Sequence, residues 1–305
     1  MNDNLYDSRA WRMLVARYGE REAHAIVYYV MEVAFNIKKA DFLIDGIDAL
    51  RPEQKPKLFA ILYNVGEGMP VQYAVGVAEF GGRHGWMSVG VRPGVLIPRP
   101  ETAELCDIII DDCGQTPGLD IVDIGTGSGC IALMLKSAMP ESRVFAWDNS
   151  PEALAVTREN ATAKRCDIII ERQDMLDLWC TDRRWDVIVS NPPYILNKEK
   201  KDMEEHVKGH EPDCALFVPN DDPLRFYTPI IQYAAKTLRP DGALYFELNP
   251  LTADKVADKA RQTGFKDVSI IEDSYGKLRF AKLRINKKKS NNKAIAFNSF
   301  NSLQM

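Results

Sequence analysis

"GLDIVDIGTGSGCIALMLKSAM" runs from Gly118 to Met139. Its first part, "GLDIVDI", is an apolar, β-branched run of the kind that forms a buried strand. Its last part, "GCIALMLKSAM", has the composition of a helix packed on a sheet. Glycines at 125, 127 and 129 stand between the two. Such a turn tolerates positive φ and lets the main chain come close to a ligand. The dinucleotide fingerprint GxGxxG places a further glycine where Cys130 stands here, so the match to it is imperfect. GxGxG after an acidic strand residue suits a nucleoside without a pyrophosphate, and S-adenosyl-L-methionine is the reading it favours. On this reading Gly125, Thr126, Gly127, Ser128 and Gly129 contact the cofactor.

Strands and helices alternate beyond that stretch. "RVFAWD" predicts a strand, and "SPEALAVTRENATAK" a helix with Ser150 as N-cap and Pro151 in its first turn. "CDIIIERQD" and "WDVIVSN" predict strands. "LRFYTPIIQYAAKTL" predicts a helix in which Pro229 is expected to cause a kink. "GALYFEL" is a strand and "LTADKVADKARQTG" a helix closed by Gly264. "KDVSIIED" and "LRFAKLRI" are joined by "SYGK", too short for a helical crossover, so one end of the sheet is expected to be antiparallel. The fold class is α/β, a Rossmann-like, mainly parallel sheet with its ligand crevice at the carboxyl ends of the strands.

Two further strand ends are candidate ligand positions. Asp148 closes the second strand, about 20 residues beyond the glycine turn, where a carboxylate accepts ribose hydroxyls. The same charge also suits the start of the next helix. At the end of the third strand, Asp174 is placed to accept from an adenine amino group and Met175 to pack on the ring.

The N-terminal region reads differently. From Ala10 to Leu62 the apolar residues Leu14, Tyr18, Ile26, Tyr29, Val30 and Val33 recur at helical spacing. "RPEQKPKLFAIL" predicts a further helix entered through Pro52. "VQYAVGVAEF" and "WMSVGV" then read as strands flanking "GGRHG", a β-hairpin, followed by the proline-rich "RPGVLIPRPET" as a linker or lid.

Composition narrows the function classes. The 305 residues are 46% hydrophobic and 27% charged, ordinary for a globular chain. The formal net charge is −4, and the last twenty residues carry four lysines and no acid, leaving −8 on the rest. An acidic body argues against strong non-specific nucleic-acid binding. None of the six cysteines forms a CxxC pair, so no zinc ribbon or dithiol site is expected. "HVKGH", His206 to His210, has two imidazoles at metal-ligand spacing, but Gly209 and Pro212 oppose a helix, and no metal is expected. "MNDNLYDSRAWR" has no apolar signal core, and the longest apolar stretches fall far short of a membrane span. A cytoplasmic protein without membrane contact is expected.

"SNPPYI", Ser190 to Ile195, follows the fourth strand. Two adjacent prolines remove two donors and hold the preceding residue extended, which suits the rim of a site better than an ordinary turn. In a doubly wound sheet this strand neighbours the first, so Asn191 to Tyr194 is expected to border the crevice of the glycine turn. A planar substrate NH2 explains these residues. The Asn191 side-chain carbonyl and the Pro192 main-chain carbonyl can each accept one of its hydrogens. Such a grip aims the nitrogen lone pair at an incoming methyl group. Tyr194 offers a flat face to the amide or base. Asn191, Pro192 and Tyr194 are the catalytic candidates, and with Pro193 they form the substrate site.

Taken in order, "LIPRPET", "DIGTGSGCIAL", "AWDNSPEAL", "VSNPPYI", "EPDCALF", "DPLRFYTPII" and "SYGKLR" resemble segments of the HemK/PrmC family of protein-(glutamine-N5) methyltransferases, over roughly 68–284. "LIPRPET" discriminates most, since DNA amino-methyltransferases share NPPY without this lid. The resemblance implies a helical substrate-recognition domain over 1–67, a β-hairpin linker over 68–98 and a catalytic domain over 99–285, followed by a disordered tail over 286–305. It implies methyl transfer to the glutamine of a Gly-Gly-Gln loop in peptide chain release factors, with no nucleic acid as partner. It gives Gly125 to Gly129, Asp148, Met175 and Asn191 as cofactor contacts. Arg99, Glu101 and Thr102 fall in the lid motif without individual roles. The fifth strand ends "FELNP", where the family pattern follows the acid with Gly and later Gln, so no role falls to Glu247. Two other readings stay open: an adenine-N6 or RNA amino-methyltransferase with the same NH2 chemistry, and a binding module with no reaction.

Overall fold

The computed structural model describes residues 4–178, 182–202 and 209–286. Cys180, Glu204, Glu205, His206 and, apart from Asn286, the tail expected to be disordered lie outside them.

The N-terminal region is helical: α1 (Arg9–Tyr18), α2 (Glu20–Phe35), α3 (Lys39–Asp45) and α4 (Lys55–Gly66). Ser8 caps α1 by accepting from the Trp11 N–H. Of the residues recurring at helical spacing, Leu14, Ile26 and Val30 join Val27, Met31, Leu58 and Leu62 in one core and Tyr18 packs against it, whereas Tyr29 and Val33 are half-buried outside it. A short 3-10 turn at Pro52–Gln54 leads into α4.

"VQYAV", expected as strand, is instead a helical turn, α5 (Val71–Val75). Gly76 ends it in the left-handed region, its N–H donating to Gln72 O at 2.8 Å. The chain then turns into β1 (Val77–Gly82), which pairs antiparallel with β2 (Gly85–Gly90) through the two-residue loop Arg83–His84. Asp107 accepts from both loop N–H groups, at 2.9 and 3.3 Å. Ala78, Phe80 and Val89 pack into the main core, so the hairpin is seated on the sheet domain rather than free of it.

A helix that the sequence reading left unassigned, α6 (Pro100–Cys113), follows the lid. It opens with proline in its first turn and buries Leu105, Cys106, Ile109 and Ile110. Next come β3 (Asp120–Ile124), α7 (Cys130–Ala138), β4 (Arg143–Asp148), α8 (Pro151–Lys164), β5 (Ile169–Arg172) and β6 (Trp185–Ser190). Ser150 caps α8 as expected. A small parallel pair joins β7 (Ile195–Leu196) to β8 (Phe217–Val218), with α9 (Asp213–Leu216) just before β8. The chain ends in α10 (Tyr227–Thr237), β9 (Leu238–Glu247), α11 (Ala253–Thr263), β10 (Asp267–Glu272) and β11 (Leu278–Arg284). Pro229 stands in the first turn of α10, where a missing N–H breaks no intrahelical bond, so the expected kink has no cause.

The seven-stranded sheet has the order β10-β11-β9-β6-β3-β4-β5. Its five strands from β9 to β5 run parallel, and β11 runs against them, pairing antiparallel with β9 on one side and with β10 on the other, as "SYGK" indicated. Successive strand residues feed opposite cores: Ala243 and Tyr245 point to one face, Leu244 and Phe246 to the other. Both faces are covered, so the strands read as nearly continuous apolar runs. β3 and β6 are direct neighbours, which brings their carboxyl ends, Ile124 and Ser190, side by side.

Candidate active site

The turn after β3 is built as its glycines suggested. Gly125, Gly127 and Gly129 have φ of 79°, 58° and 83°. The N–H groups of Gly125 and Thr126 both donate to Trp147 O, at 2.8 and 2.9 Å, which ties the turn to the end of β4. A Cβ at Gly125 would lie 2.7 Å from Met175 Cε, and one at Gly129 2.9 Å from Thr157 Cγ2. The positive φ strains a larger residue at either position; at Gly125 the flexible Met175 end can give way, while at Gly129 the buried Thr157 stands in the way.

Asp148, the last residue of β4, accepts from the Gly127 N–H at 3.0 Å through Oδ2 and from the Ser150 N–H at 2.9 Å through Oδ1. Each oxygen keeps a lone pair for a ligand hydroxyl. Burial raises its pKa, opposed by those backbone donors. Asp174 accepts from the Leu176 N–H at 2.9 Å and from Asn149 Nδ2 at 3.3 Å.

Beneath the turn lies Asp123, fully buried. Thr126 Oγ1 donates to its Oδ2 at 2.6 Å, while Oδ1 has no partner. Burial pushes its pKa up to about 7 despite that hydrogen bond. Burial, with Asp123 nearby, also pushes the Cys130 thiol up to about 12, so it is no nucleophile at neutral pH.

The double-proline corner meets the glycine turn. Ser190 Oγ donates to Ile124 O at 2.6 Å, joining the two strand ends directly before each loop begins. A cavity of about 280 Å³ opens there. Gly125, Thr126, Gly127, Ser128, Asp148, Asp174, Met175, Asn191 and Pro193 all line it. Gly129, Pro192 and Tyr194 do not: Gly129 caps α7, Pro192 is buried, and Tyr194 points its hydroxyl to Glu247 Oε1 at 2.9 Å. The glycine turn and the Asn191 and Pro193 side of the NPPY corner thus share one crevice.

The methyltransferase small domain family model matches residues 107–208. A release factor glutamine methyltransferase of Bacteroides thetaiotaomicron is 43% identical over 218 residues, covering 71% of this chain and 76% of that protein. One of Flavobacterium psychrophilum is 34% identical over 91% of this chain and 97% of that relative. This chain belongs to the release factor glutamine methyltransferase family. A 16S rRNA N2 methyltransferase of T. thermophilus, solved with AdoMet and guanosine, shares the fold: the TM-score is 0.52 at 17% identity, over 69% of this chain and 50% of that one.

In this family member two further segments wall the crevice. Leu96, Pro98 and Arg99 face it from the lid, and Pro212, Cys214 and Ala215 from the segment before β8. Glu211, nearly fully buried, joins the two: it accepts from Arg99 Nη2 at 2.6 Å and from the Ile97 N–H at 3.1 Å. Arg99 also donates to Ile97 O. "LIPRPET" and "EPDCALF" both stood out in the sequence, yet nothing in either shows that Glu211 would reach back to Arg99.

Glu247 was missed for a similar reason. It is buried at the end of β9 and accepts from Thr102 Oγ1 at 2.7 Å as well as from Tyr194. Burial raises its pKa, against the pull of those two hydroxyls and of Arg279. Asn249, two residues on, donates to Tyr194 O at 3.2 Å and to Glu199 at 2.8 Å. "FELNP", left without a role, therefore braces the NPPY corner. Glu101 is not among the residues lining the cavity.

Proposed function

We propose that this chain transfers a methyl group from S-adenosyl-L-methionine to the side-chain amide nitrogen of the glutamine in the Gly-Gly-Gln motif of peptide chain release factors. The observation that supports this most is the single crevice shared by the glycine turn and Asn191. The family relationship supplies the reaction class and the protein substrate.

The crevice residues suit the donor. Glycines 125 and 127 keep the floor of the cavity free of side chains, and no atom lies within 4 Å of where a Cβ at Gly127 would project. Asp148 retains acceptor capacity for ribose hydroxyls, Asp174 for an exocyclic amine, and Met175 an apolar surface for a ring. S-adenosyl-L-methionine supplies, when bound, an electrophilic methyl on a sulfonium.

Asn191 accepts one hydrogen of the glutamine NH2 at the cavity wall, and Pro193 shapes the rim. The Pro192 carbonyl lies behind that wall and takes the second hydrogen only if the bound glutamine reaches past the cavity lining. Tyr194 supports the corner through Glu247. The C–S bond breaks as the C–N bond forms, and the nitrogen then loses one proton to water. Gripping both amide hydrogens aligns the lone pair and meets the positive charge that develops on nitrogen. No general base is required, since that charged nitrogen is strongly acidic.

We assign residues 1–67 to recognition of the release factor, 68–98 to a linker seated on the catalytic unit, and 99–285 to catalysis. Among the described residues no helix is long and apolar enough to cross a membrane. A release-factor substrate places the enzyme in the cytoplasm, and the acidic body disfavours nucleic acid as partner. Incubation with methyl-labelled S-adenosyl-L-methionine and a release factor, an adenine-containing DNA or an RNA tests the reading. Label confined to the Gly-Gly-Gln glutamine is expected. Label on DNA or RNA, with none on the protein, would overturn it.

A further inference from the structure

We propose that Glu247 is a positioning residue: through the hydroxyl of Thr102 it fixes the Asn191 side-chain amide so that Oδ1, rather than Nδ2, is presented to the substrate nitrogen. The inference rests on the reading above that Asn191 receives the glutamine amide.

A primary amide has nearly the same shape at its oxygen and nitrogen ends, so packing alone does not choose between them. Hydrogen bonding must choose. Thr102, the third residue of α6, has one hydroxyl proton and two lone pairs. Its Oγ1 lies 2.7 Å from Glu247 Oε2 and 3.1 Å from Asn191 Nδ2. Glu247 is itself fixed. Its other carboxylate oxygen accepts from Tyr194 at 2.9 Å, and its main-chain carbonyl accepts from the Tyr227 hydroxyl at 3.0 Å.

A carboxylate that accepts takes the Thr102 proton. Only lone pairs of Oγ1 then face Asn191, so only the NH2 end of the amide can satisfy them. Reversing the amide would set oxygen against oxygen with no proton between. It would also turn an NH2 toward the NH2 that the site is meant to hold. Asn191 Oδ1 has no hydrogen-bond partner among the described residues and is left for the ligand. Two residues from α6 and β9, 145 positions apart in the chain, thus give direction to a side chain that lacks it.

The test uses the full chain, a release factor as methyl acceptor, and the variants Thr102→Val, Thr102→Ser and Glu247→Gln. Thr102→Val keeps the shape and removes the hydroxyl, so kcat is expected to fall about 10-fold or more while the Kd for S-adenosyl-L-methionine stays within about two-fold. Thr102→Ser restores the hydroxyl and is expected to keep more than about half of kcat. Glu247→Gln can turn either end toward Thr102, so kcat is expected to fall about three-fold or more, again without loss of cofactor affinity. This variant also decides the matter if Thr102→Val does not fold.

Wild-type kcat in Thr102→Val would overturn the inference. A serine variant as slow as the valine one would do the same, as would a parallel loss of cofactor affinity. A wild-type chain that labels no glutamine overturns the underlying reading and the relay together. A wild-type chain that does label it, with the valine variant equally fast, overturns the relay alone.

Discussion

Ser190 donates its hydroxyl to the main-chain carbonyl of Ile124 across 2.6 Å, fully out of solvent. Ile124 directly precedes the glycine turn and Ser190 directly precedes Asn191. This hydrogen bond adds to the β3–β6 pairing in fixing the distance between the glycine turn and Asn191. Ser190→Ala removes it and leaves a buried carbonyl short of a partner, at a cost of about 1–2 kcal/mol. A denaturant midpoint lowered by that amount, with kcat reduced several-fold, is expected. An unchanged kcat would show that neighbouring strand pairing alone sets the spacing.

Asp148 holds Gly127 and Ser150 through both oxygens while facing the cavity. Asp148→Ala frees two backbone donors and removes the acceptor for ribose hydroxyls, so the Kd for S-adenosyl-L-methionine should rise about 10-fold or more. Calorimetry measures this directly. Equal affinity in the variant would refute the ribose role.

Glu211 joins the lid to the segment before β8 over the cavity. Glu211→Ala leaves Arg99, about a third exposed, and the Ile97 N–H without their partner. Because water can reach Arg99, the loss is expected to be about 1–2 kcal/mol rather than that of a fully buried pair. Faster dissociation of S-adenosyl-L-methionine, read by stopped flow, is the expected sign that the two walls have separated. A wild-type off-rate would mean that the contact does not retain the donor.

Asp123 supplies a pH test. Its folded-state pKa, about 7, lies above the ordinary carboxylate value because burial disfavours the charge. The unfolded chain therefore loses this proton first. The stability it contributes is complete below about pH 4 and is lost as pH rises to about 7, by roughly 4 kcal/mol in all. Asp123→Asn cannot ionise, so its urea-unfolding free energy should fall less steeply between pH 4 and pH 7 than that of wild type. Parallel slopes would show that Asp123 titrates normally.

The sheet was legible because its strands are buried on both faces, and "GLDIVDI" and "WDVIVS" show this as unbroken apolar runs. Glycine and proline punctuation placed the two loops that matter. What stayed hidden depended on pairs distant in sequence. Nothing local shows that Glu211 reaches Arg99, or that Glu247 meets Thr102. The segment "VQYAV" misled because its valines and tyrosine suit a strand, while Gly76 ends it as a helical turn. Helix α6 carries Leu105, Cys106, Ile109 and Ile110 at helical spacing, but it starts at Pro100 inside a proline-rich stretch that by itself reads as extended chain.

The central claim is that Asn191 aims a pinned amide nitrogen at the donor's methyl group without being needed to hold the donor in place. Steady-state turnover on a release factor and calorimetric affinity for S-adenosyl-L-methionine, both measured on Asn191→Ala, test it most directly. The account predicts a kcat reduced about 100-fold or more, with Kd changed by no more than about three-fold. Near-normal turnover, or a loss of affinity that matches the loss of rate, would contradict it.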